Sequence, residues 1–132
     1  MTREVITLFE EDNLDRIEEG MARYRFRHLP VVDEGRLVGL LTHRDLLRLQ
    51  ASILEPGAAQ KTHALGTSVF VRNVMQRNVL TVTAETPLVE AGKLLVDNKL
   101  GCLPVVDADQ TLVGIVTEAD FVKLAVRLLA SP

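Results

Sequence analysis

The chain has 132 residues, 47% of them hydrophobic and 25% charged, with 15 Lys and Arg against 18 Asp and Glu. A formal charge of -3, no Trp and 4% aromatics argue against a nucleic-acid binder, which needs a basic face or a base-stacking platform. The single cysteine, Cys102, excludes an internal disulfide framework. Apolar runs as short as Leu37–Leu41 and a start unlike a signal peptide make a soluble cytoplasmic protein, with no membrane span, the expectation.

In chain order, the β-branched run Val5-Ile6-Thr7-Leu8 predicts a strand. A helix follows, with Asp12 or Asn13 as its cap and Leu14, Ile17 and Met21 at helical spacing. Leu29–Val32, the polar turn Asp33-Glu34-Gly35-Arg36 and Leu37–Leu41 together read as a hairpin. A second helix is predicted to start after Thr42. The stretch from Gln50 to Phe70 holds Pro56-Gly57 and Gly66 and reads as a surface connection. After a Val69–Met75 lead-in, the strand Val79–Val82 is followed by a helix announced by Thr86 as N-cap and Pro87 at the first helical position. Leu88, Ala91 and Leu95 share one face of it. A second hairpin spans Leu103–Val106 and Leu112–Val116, and a last helix after Thr117 carries Phe121, Leu124, Ala125 and Leu128 along one side.

The two halves are copies of each other. Leu29-Pro30-Val31-Val32-Asp33 recurs as Leu103-Pro104-Val105-Val106-Asp107, and Met1, Arg3, Val5 and Thr7 align with Met75, Arg77, Val79 and Thr81. One extra residue in the Asp107–Thr111 turn shifts the alignment before Leu37-Val38-Gly39 meets Leu112-Val113-Gly114. The fold class expected is α+β, two β-α-β-β-α repeats over 1–50 and 69–129 joined by a linker over 51–68. A repeat of this size buries little surface alone, so the halves are expected to share a core. The first copy lacks a counterpart of Val69–Val74. Either the chain begins there or it is part of something larger.

The pattern closest to chemistry is Gly39-Leu40-Leu41-Thr42-His43-Arg44-Asp45, repeated as Gly114-Ile115-Val116-Thr117-Glu118-Ala119-Asp120. It reads as a strand running into a helix N-terminus, where unpaired amides and the helix dipole favour an anion such as phosphate. The Asp one turn in can accept hydrogen bonds from two adjacent sugar hydroxyls. Thr-x-x-Asp also resembles a capping box, which needs no ligand. No nucleophile–base pair or carboxylate pair suggests catalysis, and three scattered histidines with one cysteine give no metal spacing.

The whole succession of Leu-Pro-Val-Val-Asp, polar turn, Leu-Val-Gly and Thr-x-x-Asp, with the Val-x-Asn-Val-Met lead-in, resembles the cystathionine-beta-synthase (CBS) domain. The resemblance covers residues 1–50 and 69–129, and a tandem pair is that family's usual unit, the Bateman module. It implies a pseudo-twofold pair with two clefts that bind adenosine derivatives such as AMP, ADP, ATP, S-adenosylmethionine or dinucleotides. By that resemblance Asp45 and Asp120 hold ribose hydroxyls, and Thr42 and Thr117 lie near phosphate or ribose. Clefts in the family are composite, which puts Leu80, Leu100 and Gly101 with Asp45, and Ile6, Phe26 and Arg27 with Asp120. Arg27 and Arg44 are candidates to grip phosphate; the second copy has Gly101 and Ala119 in their places. The reading is a non-catalytic sensor of adenine nucleotides, with the nucleotide as effector and no required cofactor. A homodimer is expected, and the effector protein is unknown. The alternative is a structural dimerisation module with empty clefts.

Overall fold

The computed structural model describes residues 2–15, 17, 20–21, 26–53 and 69–130. The expected linker therefore lies outside the described residues from position 54 onward. The helix entering it runs to Ile53.

Each hairpin joins two mostly apolar strands through a short polar turn. Strand β1 (His28–Asp33) pairs with β2 (Arg36–Thr42). Between them Glu34 and Gly35 have φ of 50° and 82°, the double left-handed geometry of a type I′ turn. Strand β3 (Cys102–Val106) pairs antiparallel with β4 (Leu112–Thr117), from Cys102 opposite Thr117 to Val106 opposite Leu112, with a bulge between Val105 and Val106. The extra residue of this copy sits in its turn. Asp107 Oδ1 accepts hydrogen bonds from the amides of Asp109 (2.9 Å) and Thr111 (3.0 Å), and Gln110 takes φ 66°.

The predicted first strands shrink to single parallel bridges, Leu8 with Val31 and Val82 with Val105. Leu8 N donates to the Pro30 carbonyl at 2.9 Å and Val82 N to that of Pro104 at 3.1 Å. Each proline lacks an amide to extend the ladder, and the chain turns at once beyond the bridge. In that turn Phe9 N donates to Asp12 Oδ2 at 2.8 Å, and Thr83 N donates to Thr86 Oγ1 at 3.0 Å. Thr86 therefore closes the turn ahead of the helix, leaving Pro87 at the cap of the Leu88–Asp97 helix. In the first copy Asn13 is the cap, its Oδ1 accepting from Asp15 N at 2.9 Å.

The chain divides into two compact units that interleave along the sequence. One comprises Met1–Val5, Gly35–Leu37 and Val79–Pro132; the other comprises Ile6–Glu34 and Val38–Asn78. Each buries a cluster of its own. The Ile6–Asn78 unit packs Leu8, Leu14, Ile17, Met21, Leu29, Val31, Leu41, Leu46, Val71 and Met75. The other packs Val82, Ala91, Leu95, Leu103, Val105 and Val116. Leu14, Ile17 and Met21 face inward as their spacing predicts, whereas Leu88 stays exposed beside buried Ala91 and Leu95. The last helix, Glu118–Ala130, has no buried residue, and Leu128 lies mostly in solvent.

The interleaving has a local cause. The lead-in to the second repeat belongs to the first repeat's unit, where Leu14 N donates to the Val69 carbonyl and Val71 N to that of Asp12. Gln76 and Leu40 exchange both backbone hydrogen bonds at 2.9 Å. Thr2 and Ile115 make the equivalent pair in the other unit. This close approach explains Gly39. A Cβ there would lie 2.6 Å from Met75 Sδ and 3.0 Å from the Gln76 carbonyl. Gly39→Ala is expected to cost about 1–3 kcal/mol through overpacking, measurable as a shift of the urea midpoint.

Candidate functional site

Each Gly-x-x-Thr-x-x-Asp segment runs from the end of a hairpin strand into a helix. Thr42 ends β2, and Asp45 lies in the first turn of the His43–Ile53 helix; Thr117 and Asp120 repeat this at the end of β4 and the start of Glu118–Ala130. The full capping box closes in the first copy, where Asp45 N also donates to Thr42 Oγ1 at 3.3 Å, and its carboxylate half forms in both. Asp45 Oδ2 accepts from Thr42 N at 2.8 Å and Thr42 Oγ1 at 3.0 Å. Asp120 Oδ2 accepts from Thr117 N at 2.9 Å and Thr117 Oγ1 at 3.3 Å. In each copy, then, threonine holds one carboxylate oxygen and aims the other.

The second oxygen separates the copies. Asp45 Oδ1 accepts from Gln76 Nε2 at 3.1 Å, the same nitrogen lying 3.4 Å from Oδ2. Asp45 is only 6% exposed and is the single buried charged residue among those described. A buried carboxylate needs such donors, because desolvating an unpaired one is costly. Asp120 is half-buried, and among the described residues its Oδ1 accepts no hydrogen bond. That oxygen is available to a ligand hydroxyl.

The residue before each hairpin is drawn to the same corner. His43 N donates to the Arg27 carbonyl at 2.9 Å, and Glu118 N donates to the Gly101 carbonyl at 3.1 Å. Within the Ile6–Asn78 unit, Thr42, Asp45, Gln76 and the Arg27 backbone are thus brought together, with the Arg27 and Arg44 side chains exposed. Ile6 and Phe26 line an apolar cavity of about 370 Å³ with Leu8, Ile17, Met21 and Leu29. In the other unit Leu100 packs against the buried cluster, and Leu80 is exposed.

Gln76 is the participant that sequence reasoning missed. It follows Met75 in the lead-in and aligns with Thr2, but nothing in its local pattern announces a hydrogen bond to Asp45. Cys102 is buried, and burial pushes its thiol up to about 12, so it stays protonated and inert near neutrality. Among the described residues no His, Cys, Asp or Glu cluster could hold a metal ion, and no helix is long and apolar enough to cross a membrane.

With this geometry in place, the family described as CBS domain matches residues 1–52 and 71–127. Protein MJ1225 of Methanocaldococcus jannaschii is 35% identical over 128 residues, covering 93% of this chain and 44% of that protein. The chain thus spans less than half of that relative's length. Its crystal structure superposes with a TM-score of 0.83 over 95% of this chain and 45% of that one, at 34% identity. CBSX2 in complex with AMP is 30% identical with a TM-score of 0.81, covering 97% of this chain and 93% of that one. The CBS domain pair of MJ0100, in complex with 5'-methylthioadenosine and S-adenosyl-L-methionine, is 26% identical with a TM-score of 0.76, covering 94% and 93%.

Proposed function

Since the chain belongs to the CBS-domain family and carries two copies in tandem, we propose that it is a regulatory module binding an adenosine derivative. The ligand class is an adenine nucleotide (AMP, ADP or ATP) or S-adenosylmethionine. It acts as an effector, and the module itself is not catalytic. One observation carries the reading. Asp120 is held by Thr117 at a helix start with Oδ1 open among the described residues, so that it can accept a ribose hydroxyl. Relatives crystallised with AMP, 5'-methylthioadenosine and S-adenosylmethionine support the class. Ile6, Phe26, Arg27, Arg44, Leu80, Leu100 and Gly101 are proposed to contribute to binding alongside Thr42, Asp45, Thr117 and Asp120. It also places the protein in the cytoplasm.

A thermal-shift panel of AMP, ADP, ATP and S-adenosylmethionine, with GTP as control, tests it. A ligand at 100 times its dissociation constant adds about 2.7 kcal/mol, a shift of several degrees in a domain of this size. No shift with any adenine compound favours the second reading, a structural dimerisation module. That reading draws on the internally satisfied Asp45 and on the exposed apolar side chains of the last helix.

Both readings include a homodimer. Val122, Val126, Leu128 and Leu129 are all more than half exposed on one helix, an apolar surface suited to a second copy. Light scattering is expected to give twice the 14.6 kDa chain mass at micromolar concentration. Val126→Glu together with Leu129→Glu is expected to return it to the monomer mass, and a monomeric parent would contradict the assignment.

A further inference from the structure

Two equivalent corners of this molecule treat the same carboxylate oxygen differently. In both, threonine satisfies Oδ2 through its amide and hydroxyl. In one, Oδ1 meets the Gln76 amide; in the other it meets no donor among the described residues. The cause lies one element away. Gln76 and Thr2 occupy the same place in the duplicated pattern, each pairing its backbone with the second residue of a Gly-x-x-Thr-x-x-Asp segment, Leu40 or Ile115. Glutamine is long enough to reach the carboxylate from there. Threonine is two heavy atoms shorter along its side chain and ends without doing so.

The contact has the chemistry of a ligand. A carboxylate accepts only, so the amide must turn its NH₂ towards Asp45, offering one group of donors to both oxygens as a sugar diol does. It is also reversible by its nature. Gln76 is exposed as a residue while its head group is spent on buried Asp45, so the side chain has open solvent to move into when another donor takes its place. Its backbone pair with Leu40 does not depend on the head group.

Resting on the adenosine-binding reading above, we infer that the Gln76 carboxamide is an internal occupant of the Asp45 site, which a ligand hydroxyl must displace. Gln76 is thereby the residue that makes the two sites of the module unequal: the Asp120 site binds first, and the Asp45 site fills only at higher ligand concentration.

Calorimetric titration of the full chain with AMP tests this, using Gln76→Thr, which installs the other copy's residue, and Gln76→Ala as an independent variant. The parent is expected to show a tight and a weak class of site. Either variant is expected to tighten the weak class by about tenfold or more, the scale of one hydrogen bond to a charged group, and to leave the tight class unchanged. Adding Asp45→Ala to Gln76→Thr is expected to erase the gain. If AMP binds the tight class in all proteins while the weak class is the same in parent and both variants, the latch is wrong and the functional reading stands. If no protein binds AMP or S-adenosylmethionine at either class, the functional reading fails and the latch falls with it.

Discussion

Replacing Asp120 with Ala is expected to weaken the tighter adenine-nucleotide site by roughly ten- to 150-fold, the equivalent of about 1.5–3 kcal/mol for one hydrogen-bonding partner of charged character. The expectation follows from the open Oδ1. In Asp120 that oxygen has no competing donor among the described residues, so a ribose hydroxyl exchanges only with water there. Loss of the side chain also frees Thr117 N from its cap, an exposed-end cost of about 1 kcal/mol that shows in stability rather than affinity. Calorimetry with AMP and ATP separates the two, because affinity is read at a temperature where both proteins are folded. Asp45→Ala is expected to leave the tight phase nearly intact. Loss of the tight phase in the Asp45 variant alone would reverse the assignment of the stronger site.

Leu41→Ala is expected to be the most destabilising simple truncation near the site, at about 2–5 kcal/mol. Leu41 is fully buried, among Leu14, Ile17, Met21, Leu29 and Leu46. The cost is both the lost transfer energy and the cavity left behind in the cluster. For a small domain the total stability is about 5–15 kcal/mol, so this single change removes a large share. Urea denaturation monitored by circular dichroism measures it. Leu129→Ala, at a position 86% exposed, is the matched control and is expected to alter chain stability by less than about 0.5 kcal/mol at concentrations where the protein is monomeric. Equal midpoints for Leu41→Ala and the parent would contradict the core assignment. Because Leu41 precedes Thr42 directly, its truncation is also expected to loosen the Thr42–Asp45 box.

The residues that were legible in the sequence are those whose role is set by their near neighbours. Leu14, Ile17 and Met21 fall at helical spacing and are buried; Asp33-Glu34-Gly35-Arg36 contains the one residue type that tolerates the left-handed turn freely, and the hairpin forms there. Thr42 with Asp45 and Thr117 with Asp120 are three residues apart, and in each pair the carboxylate accepts from the threonine amide as that spacing predicts. Thr86 was less legible. Its hydroxyl can serve either the following helix or the preceding turn, and the amide of Thr83 is the nearer partner. Leu88 misled for a similar reason, since helical spacing marks a face without saying how wide a face the neighbours cover.

By itself the sequence determined the duplication, the order of elements in each copy, the two hairpins, and the pair of Thr-x-x-Asp corners with their family. These are consequences of local propensity and of short-range hydrogen bonds, which residues close in the chain decide among themselves. Only the tertiary structure decided that the lead-in of the second repeat joins the first repeat's unit, that Gly39 must lack a side chain because Met75 and Gln76 pass beside it, and that Gln76 takes the Asp45 carboxylate while Thr2 leaves Asp120 open. The partners in each case lie far apart in the chain. Their meeting depends on which backbone edge is free to pair once the hairpins have formed, and on whether a side chain at that edge is long enough to reach across.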